Sequence, residues 1–178
     1  LIREYKGVPG LLRAFAAVSE PLRLSVAGNP SPPSLASEIS QLAAADDRVT
    51  LSLGHIPDAD LCELITAASL VVLPYREMHN SGAAITALSM NRPVLVPRNS
   101  ATDTFAAEVG EDWVIRYDGE LSGHILSEAA AQATQTLATG QPDLSRREWD
   151  LAGRQHLAAF AEAHVRAQLG LFRRRNSA

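Results

Sequence analysis

The sequence predicts an α/β protein built on a doubly wound parallel sheet, because short apolar runs alternate with amphipathic segments of helical period. Two runs, over residues 70–74 and 93–97, are too short for helices and rich in β-branched side chains. Such runs are typical of strands that are buried on both faces. A helical segment over 83–90 lies between them, so residues 70–97 form a strand–loop–helix–strand unit around which we arrange the rest of the chain.

The other elements follow from the same two periods. Before the central unit we expect a strand that ends at residue 2, a helix over 8–19, a strand over 22–27, a helix over 34–45 and a strand over 49–53. A helix capped by Asp58 follows, with Leu61, Leu64 and Ile65 forming its apolar face. After it we expect a helix over 102–109, a strand over 113–117, a helix over 125–137 and a helical tract over 144–172. We interpret residues 1–178 as a single domain that opens in mid-strand, and therefore as a fragment.

Composition excludes several classes of function. A chain of 178 residues can bury a sizeable core, and its net charge of −4 argues against a general nucleic-acid binder. The single cysteine, Cys62, excludes an internal disulfide framework and a thiolate zinc cluster. The sequence has no apolar run long enough to span a bilayer and no signal-peptide pattern, so we expect a cytoplasmic protein.

The polar loop of the central unit has the chemistry of a phosphate site. Asn80 or Ser81 can cap the helix that follows, and Gly82 and Ala83 leave backbone N–H groups accessible at its N-terminus. The loop also carries a cation, Arg76. An ordinary capped turn explains the same residues.

A second cationic loop follows the first predicted strand. Arg3 and Lys6 can converge on a diphosphate, and Gly7 lets the backbone turn tightly. Two solvated surface charges are the alternative. Because both cationic loops follow strands of one parallel sheet, we expect them on the same edge of that sheet.

Two further loops should reach that edge. Gly28 permits close approach of a ligand, or marks a simple turn. The backbone of Ile56 could pair with the edge of a planar base, or belong to an ordinary strand-to-helix loop.

Candidates for acid–base chemistry are few. Glu77 and His79 lie in the central loop, and Asp103 and Glu108 follow the next strand, where capping and solvation explain both. The sequence has no nucleophile elbow, no P-loop and no metal-ligand spacing.

Taken in order, these residues resemble the C-terminal, donor-binding domain of a GT-B glycosyltransferase of the family 4 type. The resemblance covers nearly the whole chain and is carried by the order and spacing of its motifs, among them IREYKG over 2–7, LSVAG over 24–28, VVLPYR over 71–76, SGA over 81–83 and RPVLVP over 92–97.

The resemblance implies a Rossmann-like, three-layer α/β/α domain that binds a UDP- or GDP-sugar. It implies a metal-independent, retaining hexosyltransferase of polysaccharide biosynthesis. Its acceptor, a glycan or a lipid-linked glycan, would be bound by an N-terminal domain. It further implies that the full enzyme is at the inner face of the membrane and that this fragment is inactive alone. Arg3, Lys6 and Arg76 would meet the diphosphate, and Gly28 and Ile56 the ribose and base. Ser81, Gly82 and Ala83 would offer N–H groups to the phosphate.

One position departs from the family pattern, which places two glutamates eight residues apart across this loop and helix. The first falls on Met78 or on Glu77, the candidate that contacts the sugar, and the second falls on Thr86. A threonine hydrogen-bonds a ribose hydroxyl more weakly than a carboxylate does. A non-catalytic interaction module that has lost the donor site is therefore the alternative function.

Overall fold

The computed structural model describes residues 1–76 and 81–147 of the chain. Leu1–Pro142 forms one compact unit, and of the residues beyond it only 143–147 are described, with a 3₁₀ turn at Ser145–Arg147. The predicted helical tract over 144–172 thus lies almost wholly outside the described residues. That residues 1–178 form a single domain stays a prediction.

Strands and helices alternate through the described residues, as predicted. A 3₁₀ turn, Glu4–Lys6, precedes the elements α1 Val8–Phe15, β1 Leu24–Gly28, α2 Pro33–Ala43, β2 Val49–Leu53, α3 Asp58–Ala67, β3 Val71–Val72, α4 Gly82–Ser89, β4 Val94–Pro97, α5 Ser100–Val109, β5 Val114–Tyr117 and α6 Gly123–Thr136. The α/β class with parallel strands is confirmed.

The described strands form two parallel sheets rather than the one sheet that we expected. One contains β1 and β2, and the other has the order β3–β4–β5. Of the predicted first strand, Ile2 alone pairs, through a parallel bridge with Pro30. The pairing stops there because the chain turns into the 3₁₀ helix at Glu4.

The prediction that both central strands are buried on both faces is confirmed for β4, whereas Val71 and Val72 of β3 are only half-buried. Leu95 of β4 packs in an apolar cluster with Phe15 of α1 and Leu126 of α6. Its neighbours Val94 and Val96 are also completely buried, and alternation along a strand directs them to the opposite face. Because α4 contacts β4, helices cover the sheet on both sides.

The cap predicted for α3 was wrong, and its apolar face is only partly covered. The helix begins at Asp58, so the N-cap is Pro57, and none of its residues is buried. Leu61 is exposed, and Leu64 and Ile65 are half-buried. Apolar spacing identified the helix correctly, but spacing does not reveal how completely a neighbouring element covers the apolar stripe.

Among the described helices, none is long and apolar enough to cross a membrane.

Arg48 ties the start of β2 to the end of α1. Its guanidinium donates hydrogen bonds to the Val18 carbonyl oxygen at 2.7 Å and to both carboxylate oxygens of Asp46, at 2.9 and 2.7 Å. It also lies over the Phe15 ring, 4.8 Å from its centroid. These hydrogen bonds from Arg48 hold the pKa of the Asp46 carboxyl below its ordinary value of 3.8.

The first prediction concerns this pair and pH. A carboxyl whose pKa is lowered by folding stabilises the protein above its unfolded-state pKa, and this stabilisation is lost as pH falls through the folded-state pKa. We therefore expect Asp46→Asn to lower the free energy of unfolding at pH 7, and the gap from wild type to close below about pH 4. Urea unfolding at pH 7 and pH 3 measures the gap, and an equal gap at both values would contradict the pairing.

The second prediction concerns the contact between α1 and α6. A Cβ atom on Gly123, the first residue of α6, would lie 2.9 Å from the backbone carbonyl carbon and oxygen of Ala17. We expect Gly123→Ala to lower the free energy of unfolding by about 1–3 kcal/mol, because neither backbone can move freely. Gly10→Ala is the control, since no atom lies within 4 Å of a Cβ there. A loss of equal size in both variants would contradict this account.

Candidate functional site

The structure brings the two predicted cationic loops together. The backbone N–H of Arg76 donates a hydrogen bond to the carbonyl oxygen of Tyr5 at 2.8 Å. The rings of Tyr5 and Tyr75 meet edge to face, with centroids 6.0 Å apart, and the Lys6 ammonium lies 5.2 Å from the centroid of the Tyr75 ring. Residues 3–7 and 74–76 therefore form one continuous surface beyond the carboxyl end of β3, which we call the cationic edge.

Gly7 is the residue that lets the loops approach so closely. It adopts φ +67°, and its N–H donates to the Glu4 carbonyl oxygen at 3.1 Å, which closes the 3₁₀ turn. A Cβ atom at this position would lie 2.1 Å from the carbonyl oxygen of Pro74. Glycine is thus required twice here, for its backbone conformation and for the space beside Pro74.

The cations of this edge have no acidic partner within the described part of the chain. Four other arginines there form ion pairs with carboxylates: Arg13, Arg48, Arg98 and Arg116. Arg3, Lys6 and Arg76 form none, and Lys6 is the only lysine in the sequence. Their positive charge is therefore available to an anion.

The N-terminus of α4 is capped as predicted. The Ser81 side chain is nearly buried and accepts a hydrogen bond from the Ala84 N–H at 3.3 Å. Gly82 and Ala83 are exposed, and their N–H groups have no partner in the described residues. These are the orphan donors that make a helix N-terminus receptive to phosphate.

Thr86, at the position where the resemblance leads us to expect a carboxylate, is half-buried. Its hydroxyl donates to the carbonyl oxygen of Gly82 at 2.9 Å, one helical turn earlier. The proton of this hydroxyl is therefore in use, and the oxygen can still accept a hydrogen bond from a ribose hydroxyl.

Gly28 and Ile56 differ in whether their backbone groups already have hydrogen-bond partners. Gly28 adopts φ +138°, and a Cβ atom there would lie 3.1 Å from Cγ1 of Ile2, so its missing side chain makes room for Ile2. Its carbonyl oxygen accepts from the Gly54 N–H at 3.0 Å. The backbone N–H and C=O of the half-buried Ile56 have no partner within the described region, which leaves both available to a base edge.

The structure gives no further support for an acid–base role of the candidate residues. Glu77 and His79 lie outside the described residues. Asp103 accepts hydrogen bonds from Arg98 at 3.1 Å and from Arg116 at 2.8 Å, so it serves an ion-pair network between α5 and β5. Glu108 is also partnered. In the part of the chain that the structure describes, no group of His, Cys, Asp and Glu side chains could hold a metal ion.

Sequence reasoning missed two members of the cationic edge, Tyr5 and Tyr75. A signal was present, because each tyrosine directly precedes one of the cations, Lys6 or Arg76. Two loops that each carry a tyrosine beside a cation can form a cation–π contact between the cation of one loop and the ring of the other. This contact can be predicted only once the two loops are known to meet.

Comparison with known proteins decides the family. Residues 1–139 match the family described as Glycosyl transferases group 1. The chain belongs to this family. The glycosyltransferase resemblance and the Rossmann-like α/β fold predicted from it are thereby confirmed.

Two relatives of this glycosyltransferase chain are 39% identical to it over 164 residues. Both are named GDP-mannose:glycolipid 4-beta-D-mannosyltransferase, one from Xanthomonas campestris pv. campestris and one from its strain ATCC 33913. The match covers 92% of this chain and 47% of each relative, so the chain spans about half the length of these curated relatives.

The third prediction tests the close contact at Gly7. We expect Gly7→Ala to lower the free energy of unfolding by about 2–4 kcal/mol, the sum of left-handed strain and collision with Pro74. The control is Gly119→Ala, because Gly119 has nearly the same φ, +70°, with no atom within 4 Å of its Cβ position. That variant should lose only about 1 kcal/mol. Urea unfolding compares the two, and equal losses would show that the space beside Pro74 does not matter.

Proposed function

We propose that the chain is the donor-binding half of a GT-B glycosyltransferase, which transfers mannose from GDP-mannose to a glycolipid acceptor. The observation that carries the proposal is the cationic edge, where the loops that carry Arg3, Lys6 and Arg76 meet and none of these three cations forms an ion pair within the described residues. The names of the two relatives support the choice of donor and acceptor.

The chemistry of the transfer requires such an edge. The bond between the anomeric carbon and the diphosphate oxygen breaks, and a bond to an acceptor hydroxyl oxygen forms as that hydroxyl loses its proton to a base. Negative charge grows on the departing diphosphate, and fixed cations and N–H donors that face it lower the barrier. Arg3, Lys6 and Arg76, with the N–H groups of Gly82 and Ala83, supply this stabilisation without a metal.

The remaining contacts orient the donor. Ile56 offers its free backbone N–H and C=O to the base, and Thr86 offers an acceptor oxygen to the ribose. Glu77 is the candidate that contacts the sugar, as the resemblance implies. Since a hydroxyl binds ribose more weakly than a carboxylate, we expect the phosphates to contribute the larger share of donor affinity.

The stereochemical outcome can be decided from the product. The resemblance implies retention of the anomeric configuration, whereas the relatives' names specify a β-linkage. With an α-linked donor, a β-linked product would mean inversion and an α-linked product would mean retention. NMR of the product formed by the full-length enzyme distinguishes the two.

The acceptor belongs to the rest of the protein in this proposal. A second α/β domain would bind the glycolipid, the full enzyme would work at the cytoplasmic face of the membrane, and the isolated chain would bind donor without transferring sugar. A non-catalytic module remains the rival, and the Thr86 position is the feature that favours it.

The fourth prediction tests the donor site. We expect the chain to bind GDP more tightly than GMP, and Lys6→Met to weaken GDP binding about 10-fold or more through the loss of a charge-assisted hydrogen bond. Arg23→Gln is the matched control, because Arg23 is exposed, forms no ion pair in the described residues and lies at the amino end of β1, whereas the cationic edge lies beyond the carboxyl end of β3. Isothermal titration calorimetry measures the affinity of the wild-type chain for GDP and GMP, and the affinity of each variant for GDP. Equal weakening by both variants, or equal affinity for GDP and GMP, would contradict a diphosphate site at Lys6.

A further inference from the structure

We propose that Tyr75 is a positioning residue, whose ring holds the Lys6 ammonium at the diphosphate site without neutralising it. This inference rests on the proposed function, in which Lys6 binds the diphosphate. It gives a role to a residue to which neither the predicted site nor the resemblance assigns one.

The geometry shows how Tyr75 reaches Lys6. The Lys6 Nζ lies 5.2 Å from the centroid of the Tyr75 ring, within the distance of about 6 Å at which the negative face of a ring attracts a cation. The ring is itself held from a second side, because Tyr5 meets it edge to face at an interplanar angle of 73°. Its backbone is fixed by a hydrogen bond from the Tyr75 N–H to the Leu73 carbonyl oxygen at 2.8 Å.

A ring suits this task better than a carboxylate. Arg48 is held in place by a carboxylate instead. Both oxygens of Asp46 accept its hydrogen bonds, and its charge is thereby compensated. A carboxylate beside Lys6 would compete with phosphate in the same way. An aromatic face carries no net charge, so the ammonium keeps its attraction for an anion.

Restraint of Lys6 also has an entropic consequence. A lysine side chain has a flexible four-carbon stem, and ordering it when a ligand binds reduces affinity. Because Tyr75 already limits where the ammonium lies, less conformational freedom remains to be lost when the diphosphate binds. Removal of the ring should therefore weaken diphosphate binding even though the charge is unchanged.

Lys6 is the only lysine in the sequence, which gives a direct measurement. The chain labelled with ¹³C-lysine yields one set of side-chain NMR signals, and protons above a ring face are shifted upfield. We expect the Lys6 ε-methylene protons upfield of their value in urea-unfolded chain, with the shift kept in Tyr75→Phe and lost in Tyr75→Leu. An unfolded-like value in the folded wild type would overturn the proposal, even if Tyr75→Leu did not fold.

Binding of GDP provides the second measurement. We expect Tyr75→Leu to weaken GDP binding about threefold to tenfold, and Tyr75→Phe to restore it to within about twofold of wild type. In a chain that already carries Lys6→Met, Tyr75→Leu should have no further effect, because the ring acts through the ammonium. Additive losses in the double variant would overturn the positioning role.

The two measurements separate the inference from the proposed function. If GDP does not bind the wild-type chain, the proposed function fails whatever the lysine signal shows. If GDP binds in the wild type but Tyr75→Leu binds it equally well, the donor site stands and the role of Tyr75 is wrong.

Discussion

The close approach of Gly7 to the carbonyl oxygen of Pro74 is the constraint on which the candidate site depends. No side chain fits in that space, since a Cβ atom would lie 2.1 Å from the oxygen. The contact brings the loop after Ile2 against the loop after β3, and the hydrogen bond from Arg76 to Tyr5 closes the pair. Cations from two distant parts of the chain therefore share one surface, although the described strands belong to two separate sheets.

The basic residues of the cationic edge form no ion pair within the described residues, and in this they differ from four other arginines, Arg13, Arg48, Arg98 and Arg116. Arg48 is committed to Asp46 and to the end of α1, and Arg98 and Arg116 are committed to Asp103. In such pairs the carboxylate compensates the charge of the arginine, so little positive charge remains to attract a ligand. At the cationic edge, by contrast, an aromatic ring takes the place of a carboxylate beside Lys6. Structure and ligand binding thus use basic residues in two different ways.

Sequence reasoning succeeded where a local period or a local cap determines the structure. The strand over 49–53, the Ser81 cap and the buried apolar run of β4 follow from such patterns. It failed where the outcome depends on a distant neighbour. The exposure of α3, the split between the two sheets and the packing of Ile2 against Gly28 are set by tertiary contacts that no window of sequence contains. The meeting of Tyr75 with Lys6 belongs to this second group, although the motifs supplied both residues.

A crystal structure of the chain with GDP would test the central claim most directly, because it locates the diphosphate. The account predicts phosphate oxygens within about 3 Å of the Lys6 Nζ and of the Gly82 or Ala83 N–H groups, with Lys6 still over the Tyr75 ring. An ordered diphosphate bound elsewhere on the chain, with Arg3, Lys6 and Arg76 left in solvent, would contradict it.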